Sequence, residues 1–186
     1  MVTTPRSDEP HTVDAPDAVD VAQAQWRAVR PDLDVSPLGV IARLHRVAGA
    51  LTERLVEIYA RHGLSEPEFD LLATLRRSGE LPAGELAAHT MVTTGGLTKR
   101  VDRLVTRGLV ERTGSDGDGR RRPVRLTRAG RALIDDAMTE HLADERRLLD
   151  ELGERDAEVI EPVLRRWLAL LEPSAEGGPG GVILPV

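Results

Sequence analysis

The residues of this sequence with the most pronounced chemistry are its arginines. Between Leu97 and Arg131 stand Lys99, Arg100, Arg103, Arg107, Arg112, Arg120, Arg121, Arg122, Arg125, Arg128 and Arg131, opposed by Asp102, Glu111, Asp116 and Asp118. Eleven cations against four anions give this stretch +7, while the whole chain is at −6, which leaves −13 for the remainder. A basic middle inside an acidic body is an electrostatic footprint for phosphate, with the rest of the surface repelling the polyanion. The same pattern also reads as a solvated charged face, so the elements that carry it must decide.

Other chemistries find little support. The chain has no cysteine, which excludes disulfides, thiolate metal sites, a cysteine nucleophile and thiol redox switching. His45, His62, His89 and His141 form no close ligand pair, so a metal-dependent regulator would need the fold to gather them. No Ser/His/Asp set, phosphate loop or paired-carboxylate motif stands in a cleft-forming context, and neither an enzyme nor a cofactor is expected.

The chain has 186 residues, 40% of them hydrophobic, which suits one domain with tails. Residues 1–20, and residues 173–186 with their Gly/Pro-rich sequence, read as flexible tails around a domain over 21–172. No run approaches the roughly 20 apolar residues of a membrane span, and the acidic start lacks the apolar core of a signal peptide, so a cytoplasmic protein is expected.

The domain reads as mainly α with a small β-wing. A short helix is expected near Val21–Arg30, and a long one after Ser36-Pro37, with Val40, Leu44, Val47, Leu51, Leu55 and Ile58 as its apolar stripe. Ser65 and Glu68 form a capping-box pattern before a helix whose inner face is Phe69, Leu72 and Leu75. Two short helices follow, Ala83 to about His89 and Thr93 or Thr94 to about Arg107, at helix-turn-helix spacing. Gly108 ends the second, and Leu109-Val110 with Val124–Leu126 predict a two-stranded wing around an arginine-rich tip. Thr127 caps a further long helix. In the last, about Glu154–Glu172, Pro162 predicts a kink or a restart.

A helix-turn-helix followed by a wing is a DNA-reading arrangement. Thr93, Thr94, Thr98, Lys99 and Arg103 on the second helix are the candidate phosphate and base contacts, and Arg120, Arg121 and Arg122 on the wing would follow phosphates or enter a minor groove. A winged module that only binds another protein is the competing reading. The apolar faces of the first and last helices suit a symmetric helical interface.

These residues carry a resemblance. Glu85-Leu86-Ala87, Gly96-Leu97-Thr98-Lys99-Arg100-Val101-Asp102-Arg103-Leu104, Gly108-Leu109-Val110-Glu111-Arg112, Asp118-Gly119-Arg120 and Leu126-Thr127-Arg128-Ala129-Gly130 resemble, in order and spacing, the MarR family of winged helix-turn-helix regulators. The resemblance implies a winged core over about 64–127, dimerisation helices over about 21–62 and 127–172, and a homodimer that represses from a pseudo-palindromic double-stranded operator. Trp26, Arg30–Asp34, Phe69-Asp70, Met91–Gly96 and Leu171-Glu172 further resemble the urate-responsive HucR/PecS-like branch. That branch implies ligand contacts from Trp26, Asp70, Arg100 and Arg112 to a small anionic or aromatic effector, a urate-like purine being favoured. Asp70 paired with Arg100 or Arg112 reads equally as a structural ion pair, and Trp26 as an apolar anchor. The turn Gly79–Ala83 is shorter than that branch's usual one, and Lys99 replaces its common Asn.

Overall fold

The computed structural model describes residues 15–90, 94–114 and 122–172. The chain divides into two compact units, residues 1–51 and 52–186.

In the first unit α1 (Ala18–Val29) opens on a capping box. The Asp17 carboxylate accepts from the N–H groups of Val19 and Asp20 at 2.7 and 3.0 Å, and the Asp20 carboxylate takes the Asp17 N–H at 2.9 Å. This cap starts the helix three residues ahead of Val21, where apolar periodicity alone places the start. Arg43, near the start of α2 (Leu38–Arg61), reaches Asp17 and Asp20 at 2.8 Å each. The Gln23 amide donates to the Val35 carbonyl at 2.8 Å, closing the linker onto α1.

The second unit holds the C-terminal end of α2 and, in order, α3 (Glu66–Ser78), β1 (Leu81–Pro82), α4 (Ala83–Thr90), α5 (Thr94–Thr106), β2 (Val110–Arg112), β3 (Pro123–Leu126), α6 (Arg128–Leu152) and α7 (Glu154–Leu171). Mainly α with a small β-wing is therefore what the chain forms. The expected two-stranded wing is in fact a three-stranded antiparallel sheet, order β1-β3-β2. Leu81 and Pro82 pair with Val124 and Pro123, while Val110, Glu111 and Arg112 pair with Leu126, Arg125 and Val124. A two-residue strand has no alternation to detect, and its proline fits because it stands on an edge.

The core joins Ile58 from α2, Phe69 and Leu72 from α3, Leu86 from α4, Leu97, Val101 and Leu104 from α5, Val110 and Val124 from the sheet, and Ile134 from α6. At its centre Tyr59 and Phe69 stack at 3.9 Å between ring centroids, and His141 lies parallel at 5.9 and 5.5 Å. The Tyr59 hydroxyl bonds His141 Nδ1 at 3.0 Å, and Nε2 meets Glu145 at 3.1 Å, so this buried histidine is a packed residue with both ring nitrogens engaged.

Only the end of the long stripe on α2 is buried: Ile58 is enclosed, whereas Val40, Val47 and Leu51 are exposed. In the last helix Pro162 causes no restart. The helix runs unbroken through Pro162 and contains no buried residue. The carbonyl left without a donor by the proline therefore lies on a helix open to water, which can serve it, and no restart is forced.

The wing is locked to α6. Gly108, at φ 69°, caps α5, with the Gly108 N–H on Val105 and the Leu109 N–H on Leu104 at 2.8 and 2.9 Å. The Thr127 hydroxyl donates to the Gly108 carbonyl at 2.7 Å and accepts from the Gly130 N–H at 3.0 Å. A Cβ on Gly130 would stand 1.9 Å from the Leu109 carbonyl oxygen, so only glycine permits this approach. Further along, Arg76 holds Asp135 at 2.7 Å, Arg61 and His62 hold Glu140 at 2.5 and 2.7 Å, and Arg54 holds Asp144 at 2.5 Å.

Candidate nucleic-acid interface

Helix α5 is amphipathic in the sense a reading helix needs. Leu97, Val101 and Leu104 are buried against the core, while Thr98, Lys99, Asp102, Arg103 and Thr106 lie exposed on the other side. Helix α4, through Leu86, supplies the surface on which α5 rests. Thr98 and Lys99 thus lie on the face of α5 turned away from the core. Thr93, Arg120 and Arg121 lie outside the described residues, as does the side chain of Thr94, while Arg122 is partly buried just ahead of β3.

The arginines are less uniform than their count suggests. Arg112, at the end of β2, donates to Asp102 of α5 at 2.7 Å and so fastens the wing base to the reading helix. Arg125 faces Glu111 across the sheet at 2.7 Å. Arg103 and Arg107 lean toward Glu68 of α3, with nitrogen-to-oxygen distances of 3.8 and 3.4 Å. Among the described residues, Lys99, Arg128 and Arg131 carry no ion pair. Among the described residues Arg103, Arg107, Arg112 and Arg125 thus face carboxylates, something only the tertiary pairing reveals.

Asp70 and Arg100 form a second feature beneath this face. Oδ1 of Asp70 and Nη1 of Arg100 are both buried and neither takes a hydrogen bond among the described residues. Burial pushes the Asp70 carboxyl up, although Arg77 and Arg100 lie near enough to pull it down. Glu66, one helical turn earlier on α3, is likewise pushed up by burial and by Asp70. Of the four expected ligand residues, the structure brings Asp70 and Arg100 into one electrostatic neighbourhood. It gives Arg112 a partner in Asp102 in place of Asp70. Trp26 stands half-exposed on α1, within the first unit.

Comparison with known proteins decides the family. The model of the MarR family matches residues 62–121. The transcriptional regulator PecS of Dickeya dadantii is 37% identical over 150 residues, spanning 79% of this chain and 90% of PecS. The chain belongs to the MarR family. The repressor Rv2887 of Mycobacterium tuberculosis is 35% identical over 139 residues, 75% of this chain and 94% of its own length. Its crystal structure with salicylic acid superposes with a TM-score of 0.55 at 32% identity, covering 72% of this chain and 98% of that one. A MarR family protein of Bacillus stearothermophilus gives a TM-score of 0.63 at 25% identity, covering 75% and 98%.

As a member of that family the chain is a DNA-binding transcriptional regulator, and its relatives are regulators, not enzymes. Among the described residues no helix is long and apolar enough to cross a membrane, and no three His, Asp or Glu residues are grouped to hold a metal. Glu68, buried beneath α5, and Gly130, pressed against the Leu109 carbonyl, are positions whose surroundings the sequence does not show. In sequence Glu68 reads only as part of a capping box, and Gly130 only as part of a motif.

Proposed function

We propose that the chain is a homodimeric repressor released from a pseudo-palindromic operator by a small anionic or aromatic ligand, a urate-like purine being favoured. One observation carries this reading. The reading helix bears Arg100, whose buried Nη1 takes no hydrogen bond, next to a carboxylate, Asp70, with a buried oxygen in the same condition. Buried charged groups are normally satisfied, so a pair left open is suited to receive a ligand with an anionic edge. An anion bridging to Arg100 and repelling Asp70 would shift α5, and differential affinity for the shifted state releases DNA. Arg112 supplies a further cation from the same unit, and salicylic acid, with which a relative was solved, belongs to the same ligand class.

Dimerisation is supported by exposed apolar side chains. Val159, Ile160, Val163, Leu164 and Leu168 of α7 are each at least 41% exposed, more apolar surface than a lone helix leaves in water. On the operator, Thr93, Thr94, Thr98, Lys99 and Arg103 read the major groove, while Arg120, Arg121 and Arg122 follow phosphates.

The test is a titration of the intergenic duplex upstream of the protein's own gene, with and without urate and with salicylate as the alternative ligand. Steeply salt-dependent binding abolished by urate, with Arg100→Ala insensitive to it, supports the purine reading. Release by salicylate alone replaces the purine with an aromatic acid. Binding that ignores both removes Asp70 and Arg100 from sensing. Lys99→Ala should weaken the operator complex by about ten-fold if Lys99 contacts a base.

A further inference from the structure

Glu68 is only 4% exposed, and a carboxylate so enclosed is costly unless it is paired. One oxygen is spoken for, because Oε2 accepts from both the N–H and the hydroxyl of Ser65 at 3.0 Å. The other, Oε1, takes no hydrogen bond and faces Arg107 Nη1 at 3.4 Å and Arg103 Nη1 at 3.8 Å. Arg107 is fixed further by donating to the Gly63 carbonyl at 2.9 Å. The two arginines are four residues apart, Arg103 in the last turn of α5 and Arg107 just past its end, yet differ in freedom. The side chain of Arg107 is 33% exposed, that of Arg103 is 66% exposed.

We infer that Glu68 is a positioning residue that sets DNA specificity: its buried carboxylate anchors α5 through Arg107 and draws Arg103 back from indiscriminate contact with phosphate. Nothing in a capping role requires this. A cap needs one acceptor oxygen, and Glu68 presents its second, unbonded oxygen to the reading helix. With the carboxylate in place, Arg103 leaves it only where the DNA offers a better partner, and α5 approaches the groove at one angle. Without it, Arg103 is released as an unspecific phosphate binder, and Arg107 keeps only its bond to the Gly63 carbonyl.

Glu68→Gln separates the two roles, since glutamine keeps an acceptor for the Ser65 N–H and removes the charge. The measurement is the dissociation constant of the full-length protein for a duplex selected by the wild-type chain from a random pool, and for a scrambled duplex of equal length, over a salt series. The substitution should tighten scrambled binding at low salt by roughly three- to ten-fold and steepen its log-log salt slope by about 0.9 for each phosphate newly neutralised. The ratio of selected to scrambled affinity should fall correspondingly. A variant that loses affinity for both duplexes in proportion, with unchanged slope, would overturn the inference and leave Glu68 as a cap alone. Should Glu68→Gln fail to fold, Arg107→Gln serves. A falling ratio without a steeper slope supports anchoring, and equal losses on both duplexes refute it.

Discussion

Two aspartates of the second unit, both placed among arginines, have opposite fates. Asp144 on α6 is buried and saturated, with Nε and Nη2 of Arg54 at 2.5 and 2.9 Å and Nη2 of Arg147 at 2.5 Å. The Arg54 guanidinium, foremost, holds its carboxyl below the usual range. Asp70 on α3 keeps a buried oxygen without a hydrogen bond, and burial pushes its carboxyl up. The first arrangement fastens α6 to the end of α2. The second leaves an unsatisfied charge beneath the reading helix, where a protein built only for stability would have placed an apolar side chain.

Breaking the saturated side should cost most. Asp144→Ala is expected to lose about 2 kcal/mol in urea unfolding, discounted from the ~3–5 kcal/mol of a fully buried pair because the Arg54 side chain is 40% exposed. Its pH dependence follows from the lowered carboxyl. Wild-type stability from this pair is present above the unfolded Asp value and disappears as pH falls through the folded one, so the variant should show a shallower acid limb.

Asp70→Asn tests the other side and should move stability in the opposite direction. A raised carboxyl means that the ionised form costs stability at neutral pH. Removing the charge is expected to gain about 1 kcal/mol, the low end for relieving a buried unsatisfied polar group. The gain should shrink as pH falls toward the ordinary Asp value of 3.8, because the wild-type carboxyl is then protonated as well. A loss of stability comparable to that of Asp144→Ala would mean that Asp70 is a structural partner like its counterpart. The smallest effect is expected where pairing is exposed on both sides. Arg125→Ala, which removes the cross-strand partner of Glu111, should change unfolding free energy by no more than ~0.5 kcal/mol.

This contrast also marks how far the sequence could be read. Helices α2 to α6 announce themselves through apolar spacing and terminal signals such as Ser65 and Glu68, Gly108 and Thr127, since local periodicity and capping are written in neighbouring residues. Pairing is not. Nothing near Arg112 in sequence shows that Asp102 rather than Asp70 would take it, and Arg54 is separated from Asp144 by three helices and a sheet. The aromatic stack was equally hidden. The single Phe and the single Tyr of the chain meet across α2 and α3, but each alone reads as one more apolar position. For Asp70 and Arg100 the residue types were legible and the unsatisfied state of Oδ1 and Nη1 was not, because satisfaction depends on what burial leaves within reach.

The contact at Gly130 has a mechanical consequence. With the start of α6 pressed against the Leu109 carbonyl and bolted through Thr127, the wing and this helix share a fulcrum. The 25 residues of α6 make an arm of about 37 Å at 1.5 Å per residue, so a tilt of ~5° at the fulcrum sweeps the far end by ~3 Å. A tilt of α6 about this contact would therefore have to break its ion pairs to α2 and α3, which hold the arm along its length.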